Sequence, residues 1–227
     1  MEVKKNDFIE IEFTARVKGG EIFDTNIKAD AEKAGFEVKN MSPYILAVGK
    51  EMVLKSFDSD LEGKEIGKNY SIELQPDQAF GKRNPEFVKM IPMNAFKEQN
   101  IIPQRGMQFN IDGQVVRIAS VSGGRVLVDF NNPLAGKVVN YNYKILRKVE
   151  DQKEQIDAVQ DFIFRRKFEY TIKDKEIIFK VPDKMDKFVE MVSKAFEDIL
   201  GLKAKAEVVK EEPSKKDSAE PKEEVKK

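Results

Sequence analysis

None of the 227 residues is histidine or cysteine, and this decides most of the chemistry open to the chain. Without a thiolate there is no cysteine nucleophile, no disulfide and no thiolate-held metal or iron–sulfur cluster. Without imidazole, Ser-His-Asp and Cys-His machinery, histidine-ligated zinc and haem are not expected. What remains are carboxylates, lysines, tyrosine hydroxyls, backbone groups and shaped apolar surface, and 16 Phe and 5 Tyr supply the last of these. Lys plus Arg and Asp plus Glu both number 40, a formal net charge of +0. A chain built mainly to hold nucleic acid needs a basic excess somewhere. The expectation is therefore no nucleic acid partner, no cofactor and no metal.

The elements that must position such groups can be read from periodicity. A length of 227 residues fits one large domain or two to three small ones, at roughly 100–200 residues per domain. Phe8 to Val17 alternates as a strand, Gly19-Gly20 marks a turn, and Glu21 to Asp24 reads as a second strand. Ala29 to Lys39 is a short helix or a surface loop. Tyr44 to Val48 is a strand ended by Gly49. Glu51 to Leu61 carries Met52, Val53, Leu54, Phe57 and Leu61 at mostly helical spacing and stops before Gly63. Tyr70 to Leu74 alternates again. From Pro76 to Pro92 the breakers Pro76, Gly81, Pro85 and Pro92 interrupt regular structure, while Phe80, Phe87, Met90 and Ile91 stay apolar. From Ile101 to Val128 short strands alternate with turns, and Asp112-Gly113 between Phe109/Ile111 and Val115/Ile118 is a hairpin signal. Tyr141 to Val149 closes the region as a last strand.

Residues 150–202 have a different pattern. Ile156, Val159 and Ile163 share a helical face behind an Asp151/Glu154 capping box. Two alternating runs flank Asp174-Lys175 as a hairpin. A final helix carries Met185, Phe188, Val192, Phe196 and Ile199, with Asp183 as a cap and Gly201 as a stop. Residues 203–227 are mostly Lys and Glu with no aromatic residue, which predicts a disordered charged tail. Met1 to Phe13 lacks the apolar run of a signal peptide. No stretch approaches the ~18 apolar residues of a membrane span. The reading is a soluble cytoplasmic protein without a membrane partner.

The order of short motifs over residues 1–149 is specific. Phe13-Thr14-Ala15 precedes Gly20-Glu21-Ile22-Phe23-Asp24-Thr25. Val48-Gly49, Val53-Leu54-Lys55-Ser56-Phe57-Asp58, Leu61-Glu62-Gly63, Ile66-Gly67-Lys68 and Pro76-Asp77-Gln78-Ala79-Phe80-Gly81 follow. This resembles the FKBP-type peptidyl-prolyl isomerases. Asn131-Asn132-Pro133-Leu134-Ala135-Gly136-Lys137 resembles a signature of their SlyD-like members, which carry a domain inserted in the flap beside the active site. Residues 150–202 look like the added domain of long-chain archaeal members.

The resemblance implies an α+β protein. Residues 1–83 plus 129–149 would form an antiparallel half-barrel around a short helix, the isomerase domain. Residues 84–128 would be a small, mostly β insert-in-flap chaperone domain, 150–202 a helix–hairpin–helix domain and 203–227 the tail. It also implies Asp24, Phe80 and Tyr141 as catalytic residues and Phe13, Phe23, Tyr44, Val53, Leu54 and Phe57 as the substrate-binding surface. The Leu54 N–H would hold a substrate carbonyl. Phe13 and Phe80 stand where the family usually has Tyr, Phe57 where Trp is frequent, and Ser56 and Asn132 where Gly and His are common. The missing Phe80 hydroxyl bears on catalytic rate more than on fold. The metal-binding tail of some SlyD-like proteins has no counterpart here.

Such a pocket can act without proton transfer. Amide resonance sets a barrier of about 18–20 kcal/mol to X–Pro rotation. The twisted amide has lost the charge separation of the planar one, so an apolar site favours the twisted state. In the insert, Phe87, Val88, Met90, Ile91, Met93 and Phe96 form an apolar cluster, and adaptable Met suits promiscuous binding. The expected partners are unfolded or partly folded proline-containing chains. A holdase with a weak isomerase site is the competing reading. For 150–202 the readings are a packing extension, a second client surface, or a module making a homodimer.

Overall fold

The computed structural model describes residues 1–39, 41–111 and 113–209. It divides into two compact units, Met1–Gln155 and Ile156 onward. The mixed α+β class expected from the sequence is the one the chain adopts, with antiparallel sheets and few helices in the first unit.

The main sheet is built on β1 (Phe8–Val17). Its alternation is real: Ile9, Ile11, Phe13 and Ala15 are buried while Glu10, Glu12 and Arg16 are not. β2 (Ile22–Thr25) and β3 (Tyr44–Ala47) both pair with β1, β3 over Phe8–Ile11 and β2 over Thr14–Arg16. The other edge of β1 is taken by β9 (Val139–Lys148), which also pairs with β4 (Asn69–Leu74). The charged stretch after β2 forms α1 (Lys28–Ala34), resolving the helix-or-loop alternative in favour of a helix.

α2 (Lys55–Leu61) packs on the buried face of this sheet through Phe57 and Leu61, one helical turn apart and 1% and 0% exposed. The helix starts later than the expected Glu51. Glu51 has φ +54, and the buried Asp58 carboxylate accepts the Gly49 and Glu51 N–H groups at 2.8 and 2.7 Å. That anchors residues 49–51 as a loop, so Met52, Val53 and Leu54 precede the helix.

A second antiparallel sheet, ordered β5-β8-β7-β6, lies between β4 and β9 in sequence. It comprises β5 (Val88–Pro92), β6 (Gln108–Ile111), β7 (Gln114–Ser122) and β8 (Arg125–Asp129), with α3 (Met93–Lys97) after β5. β6 and β7 form the expected hairpin, with Ile111 opposite Gln114; Asp112 lies outside the described residues. Phe96, Val116, Ile118, Val126 and Val128 are its core.

In the second unit, α4 (Gln152–Phe164) crosses the unit boundary. Asp151 caps it by accepting the Glu154 N–H at 2.8 Å. β10 (Tyr170–Lys173) and β11 (Glu176–Val181) form the hairpin, and α5 (Asp186–Leu200) ends at Gly201 with φ +71. α5 begins beyond Asp183, which does not cap it: Met185 is the N-cap, after a turn in which the Met185 N–H reaches the Pro182 carbonyl. A larger correction concerns the tail. Lys203–Val208 form β12, parallel to β11, so α5 is the crossover of a β–α–β unit. Composition missed it because Ala204 is the only buried side chain of a strand in which Lys203, Lys205 and Glu207 alternate with small or exposed apolar residues. The backbone ladder to β11 supplies the rest. The expected disorder of 210–227 lies outside the described residues. No helix of the described residues is long and apolar enough to cross a membrane.

Candidate active site

Five of the candidate rings converge. Phe57 stacks on Tyr141 at 4.7 Å between centroids, and Phe13 lies 6.4 Å from Phe57 and 6.0 Å from Tyr141. Phe23 meets Tyr141 edge-on at 6.1 Å and Phe80 edge-on at 5.6 Å. Phe57, Tyr141 and Phe13 are buried, at 1%, 6% and 9% exposure. Phe23 and Phe80 are half-buried. The set thus grades from a closed floor to a wetter rim. Edge-to-face and offset contacts of this kind contribute about 0.5–1.5 kcal/mol per pair beyond area burial.

Three strands and a helix deliver four of these rings, Phe80 sits in the turn that follows Pro76–Gln78, and two local devices aim the set. The first is a β-bulge. Thr14 opposes Thr25, Ala15 opposes Asp24, and Arg16 opposes Ile22, so Phe23 is the extra residue. In a regular strand Phe23 and Asp24 would face opposite sides. The bulge re-aims them, and both reach Tyr141: Phe23 by its ring, Asp24 by its charge. The second device is Asn26. Between the segments paired to β3 and to β2, the edge of β1 has no strand partner, and Asn26 fills the gap. Its side chain accepts the Phe13 N–H at 2.7 Å and donates to the Ile11 carbonyl at 2.9 Å, while its N–H reaches the Phe13 carbonyl at 3.2 Å. Buried backbone groups need such partners, and here the partner fixes the backbone from which the Phe13 ring projects.

Asp24 is exposed, yet the surface beside its carboxyl raises its pKa above the ordinary aspartate value. Desolvation is the main cause, opposed by a hydrogen bond from the Thr25 backbone. Burial, and then the Asp24 charge, push the Tyr141 hydroxyl well above the usual tyrosine range, so it remains a neutral donor. That hydroxyl has no hydrogen-bond partner among the described residues. The Leu54 N–H likewise has no acceptor among them, at the extended residue (φ −53, ψ 132) that precedes α2. Val53 and Leu54 are half-buried, as is Tyr44, whose hydroxyl donates to the Met52 carbonyl at 3.5 Å. This ties β3 to the approach to α2.

Tyr143 was missed by the sequence reading. It touches Phe57 at 5.0 Å, stacks on Tyr70 at 5.5 Å and donates to Asp60 at 2.6 Å. Its spacing of two from Tyr141 along β9 was the signal, because residues i and i+2 share a face.

The six apolar candidates of the second sheet divide. Phe87 and Met90 are 51% and 58% exposed, and Val88 is half-buried. Phe96 is core at 9%, with Ile91 and Met93 packed against it. The cause is the pleat: Met90 opposes Leu127 on the outer face, whereas Ile91 opposes the buried Val126. Phe96 sits on the inner side of α3 and is unavailable as a docking residue. Exposed Ile102, Met107 and Val115 add apolar surface that the sequence reading did not single out.

Residues 89–134 match the family described as FKBP26, IF domain. Over 145 residues the chain is 27% identical to the short-type peptidyl-prolyl cis-trans isomerase of Methanocaldococcus jannaschii, covering 63% of this chain and 92% of that protein. The FKBP-type peptidyl-prolyl cis-trans isomerase SlyD of Haemophilus influenzae is 25% identical over 160 residues, 69% of this chain and 77% of its own. The FKBP-type 16 kDa peptidyl-prolyl cis-trans isomerase of Escherichia coli is 26% identical over 149 residues, 63% and 92% of the respective chains.

Proposed function

Because the chain is an FKBP-type, SlyD-like protein, we propose that it is a peptidyl-prolyl cis-trans isomerase acting on unfolded chains, with the aromatic cluster as its catalytic surface. The observation that carries this is the convergence of Phe13, Phe23, Phe57, Phe80 and Tyr141 beside Asp24. A proline ring is rigid and apolar, and the floor of Phe57, Phe13 and Tyr141 offers it aromatic faces. The X–Pro bond needs only to be twisted. Torsion costs the amide its resonance and charge separation, so apolar walls disfavour the planar state relative to the twisted one. A rate gain of about 10⁴–10⁵ requires roughly 5.5–7 kcal/mol of differential binding.

The polar roles follow from what is unspent. The Leu54 N–H holds a substrate carbonyl. The Tyr141 hydroxyl, kept protonated, is the donor available where Phe80 has none. Asp24 acts through its charge on the amide dipole and moves no proton. Phe80 contributes a wall. Exposed Phe87 and Met90, with Val88, hold the unfolded chain near this surface, which raises the local concentration of X–Pro bonds. Such bonds are about 10–30% cis in unfolded chains and exchange slowly.

A protease-coupled assay with an X–Pro tetrapeptide tests the reading. Acceleration at micromolar protein, lost in Asp24→Ala, is expected. No acceleration, with slowed aggregation of an unfolded client, would leave the holdase reading, which the absence of the Phe80 hydroxyl favours.

A further inference from the structure

Where the second sheet joins the main one, a cleft of about 160 Å³ opens between the outer face of the β6–β7–β8 strands and the Asn131–Lys137 segment. Its charged lining is Arg83, Arg117 and Lys137 against Asp129. Three cations and one carboxylate leave a net charge of +2 in a chain whose overall balance is zero.

The hydrogen-bond account sharpens this. Asp129 is spent: one carboxylate oxygen accepts the Asn131 backbone and side-chain N–H groups at 3.0 and 2.7 Å, and the other binds Arg83 at 2.6 Å. The Asn131 side-chain oxygen is taken by the Asn84 N–H, and that of Asn132 by the Leu134 N–H. Arg117 lies opposite Asp129 in the β7–β8 register but forms no ion pair with it, and neither Arg117 nor Lys137 has an acidic partner among the described residues. The acceptors are thus largely used within the protein, while the donors of two cations are not. A pocket with surplus donors and positive potential is complementary to an anion.

The rest of the lining selects the kind of anion. Val115, 41% exposed, and Pro133 supply apolar surface beside the charges. A free inorganic ion gains nothing from such groups. An acidic side chain does, because its methylene stem can rest on them while the carboxylate meets Arg117 and Lys137. The cleft also borders the strands that carry the exposed apolar residues, so a chain lying on that sheet passes its mouth.

We propose that this cleft is a carboxylate site that takes Asp or Glu side chains of bound polypeptides, giving the protein a preference for acidic segments among its clients. The proposal rests on the reading that unfolded chains are ligands, and the experiment separates the two. The probe is a fluorescein-labelled unstructured peptide of aromatic, Pro and Glu residues, compared with its Gln counterpart, binding to the full chain at low salt. Wild type is expected to bind the Glu peptide about tenfold tighter than the Gln peptide. In the Arg117→Gln/Lys137→Gln variant both bind alike, at the wild-type Gln affinity. Tetrapeptide isomerisation by the variant stays unchanged, which controls for folding. Equal binding of both peptides by wild type, or equal weakening of both in the variant, overturns the proposal. Inorganic phosphate binding as tightly as the Glu peptide would make the cleft a free-ion site and overturn it too. Failure of both peptides to bind overturns the client reading itself, and this proposal with it.

Discussion

Replacing Phe57 by Leu separates packing from catalysis. Phe57 is 1% exposed, and its ring meets Tyr141 at 4.7 Å, Tyr143 at 5.0 Å and Phe13 at 6.4 Å. Leu keeps most of the apolar area but none of the ring geometry. Losing these pairs at about 0.5–1 kcal/mol each, with a small residual cavity, predicts a destabilisation of about 2–3 kcal/mol. Urea unfolding should show this as a lower midpoint at unchanged slope. If Phe57 is also the floor against which a proline ring rests, the variant forfeits roughly 1 kcal/mol of transition-state contact, and kcat/KM for a tetrapeptide falls about fivefold. Tyr143→Phe is the companion. It removes the hydrogen bond to Asp60, which retains Lys64 at 3.1 Å, and should cost about 1.5 kcal/mol of stability with kcat/KM unchanged. A Phe57→Leu variant that loses stability but keeps its full rate would show Phe57 to be core alone. A Tyr143→Phe variant that slows catalysis as much would show that any loosening of the sheet suffices.

Asp24 carries a pH prediction with a definite sign. Its folded pKa is raised by desolvation above the reference value of 3.8. Between that value and the folded one, the native state holds more protons than the unfolded chain, so stability falls as pH rises through the window. Asp24→Asn should therefore melt higher than wild type at pH 7, with the difference vanishing below pH 3.8, while kcat/KM drops; a lower melting point at pH 7 would contradict the assignment. Asn131→Ala removes bonds to the Asn84 N–H (2.8 Å), the Asn84 carbonyl (3.0 Å) and Asp129 (2.7 Å) from a residue 7% exposed. The cost should be about 2–3 kcal/mol. Faster amide exchange at Asn84 and slower catalysed refolding of a proline-limited protein are expected, with tetrapeptide turnover retained; unchanged exchange at Asn84 would refute the bridging role.

Periodicity exposed the strands that carry part of the candidate site, and the family resemblance picked the candidates on them. Phe13 and Tyr141 lie on alternating runs whose buried faces are plain in the residues. What stayed hidden depends on irregular backbone or on distant partners. Nothing in Glu21 to Asp24 marks Phe23 as a bulge, because the extra residue is defined only by the register against β1. The late start of α2 follows from Asp58 gripping a loop two turns of chain away, not from the propensity of residues 51–54. Lys203–Val208 reads as tail because a strand held mainly by its backbone needs few apolar side chains. Phe96 and Met90 look alike in sequence, and only the pleat and the short α3 decide that one is core and the other surface.

The way the second sheet is attached bears on how the proposed client binding would cooperate with isomerisation. The outgoing and returning segments, irregular before β5 and after β8, are tied at four points: the Gly136 N–H to the Gly81 carbonyl at 2.8 Å, Arg83 to Asp129, Asn84 to Asn131, and the Phe130 N–H to the Phe87 carbonyl at 2.8 Å, where β5 and β8 take up the pairing. A flexible linker lets its cargo sample a wide volume, whereas two cross-tied segments hold it within a narrow one. Gly136, with φ +77, permits the turn that brings the returning segment back beside Gly81. Phe80 sits at the root of this attachment, one residue before Gly81, with its ring 5.6 Å from Phe23. The attachment of the second sheet thus begins one residue from a half-buried member of the aromatic cluster. On the proposed reading, residues 80–81 are where client binding on the second sheet would couple to the aromatic cluster, through the packing of the Phe80 ring on Phe23.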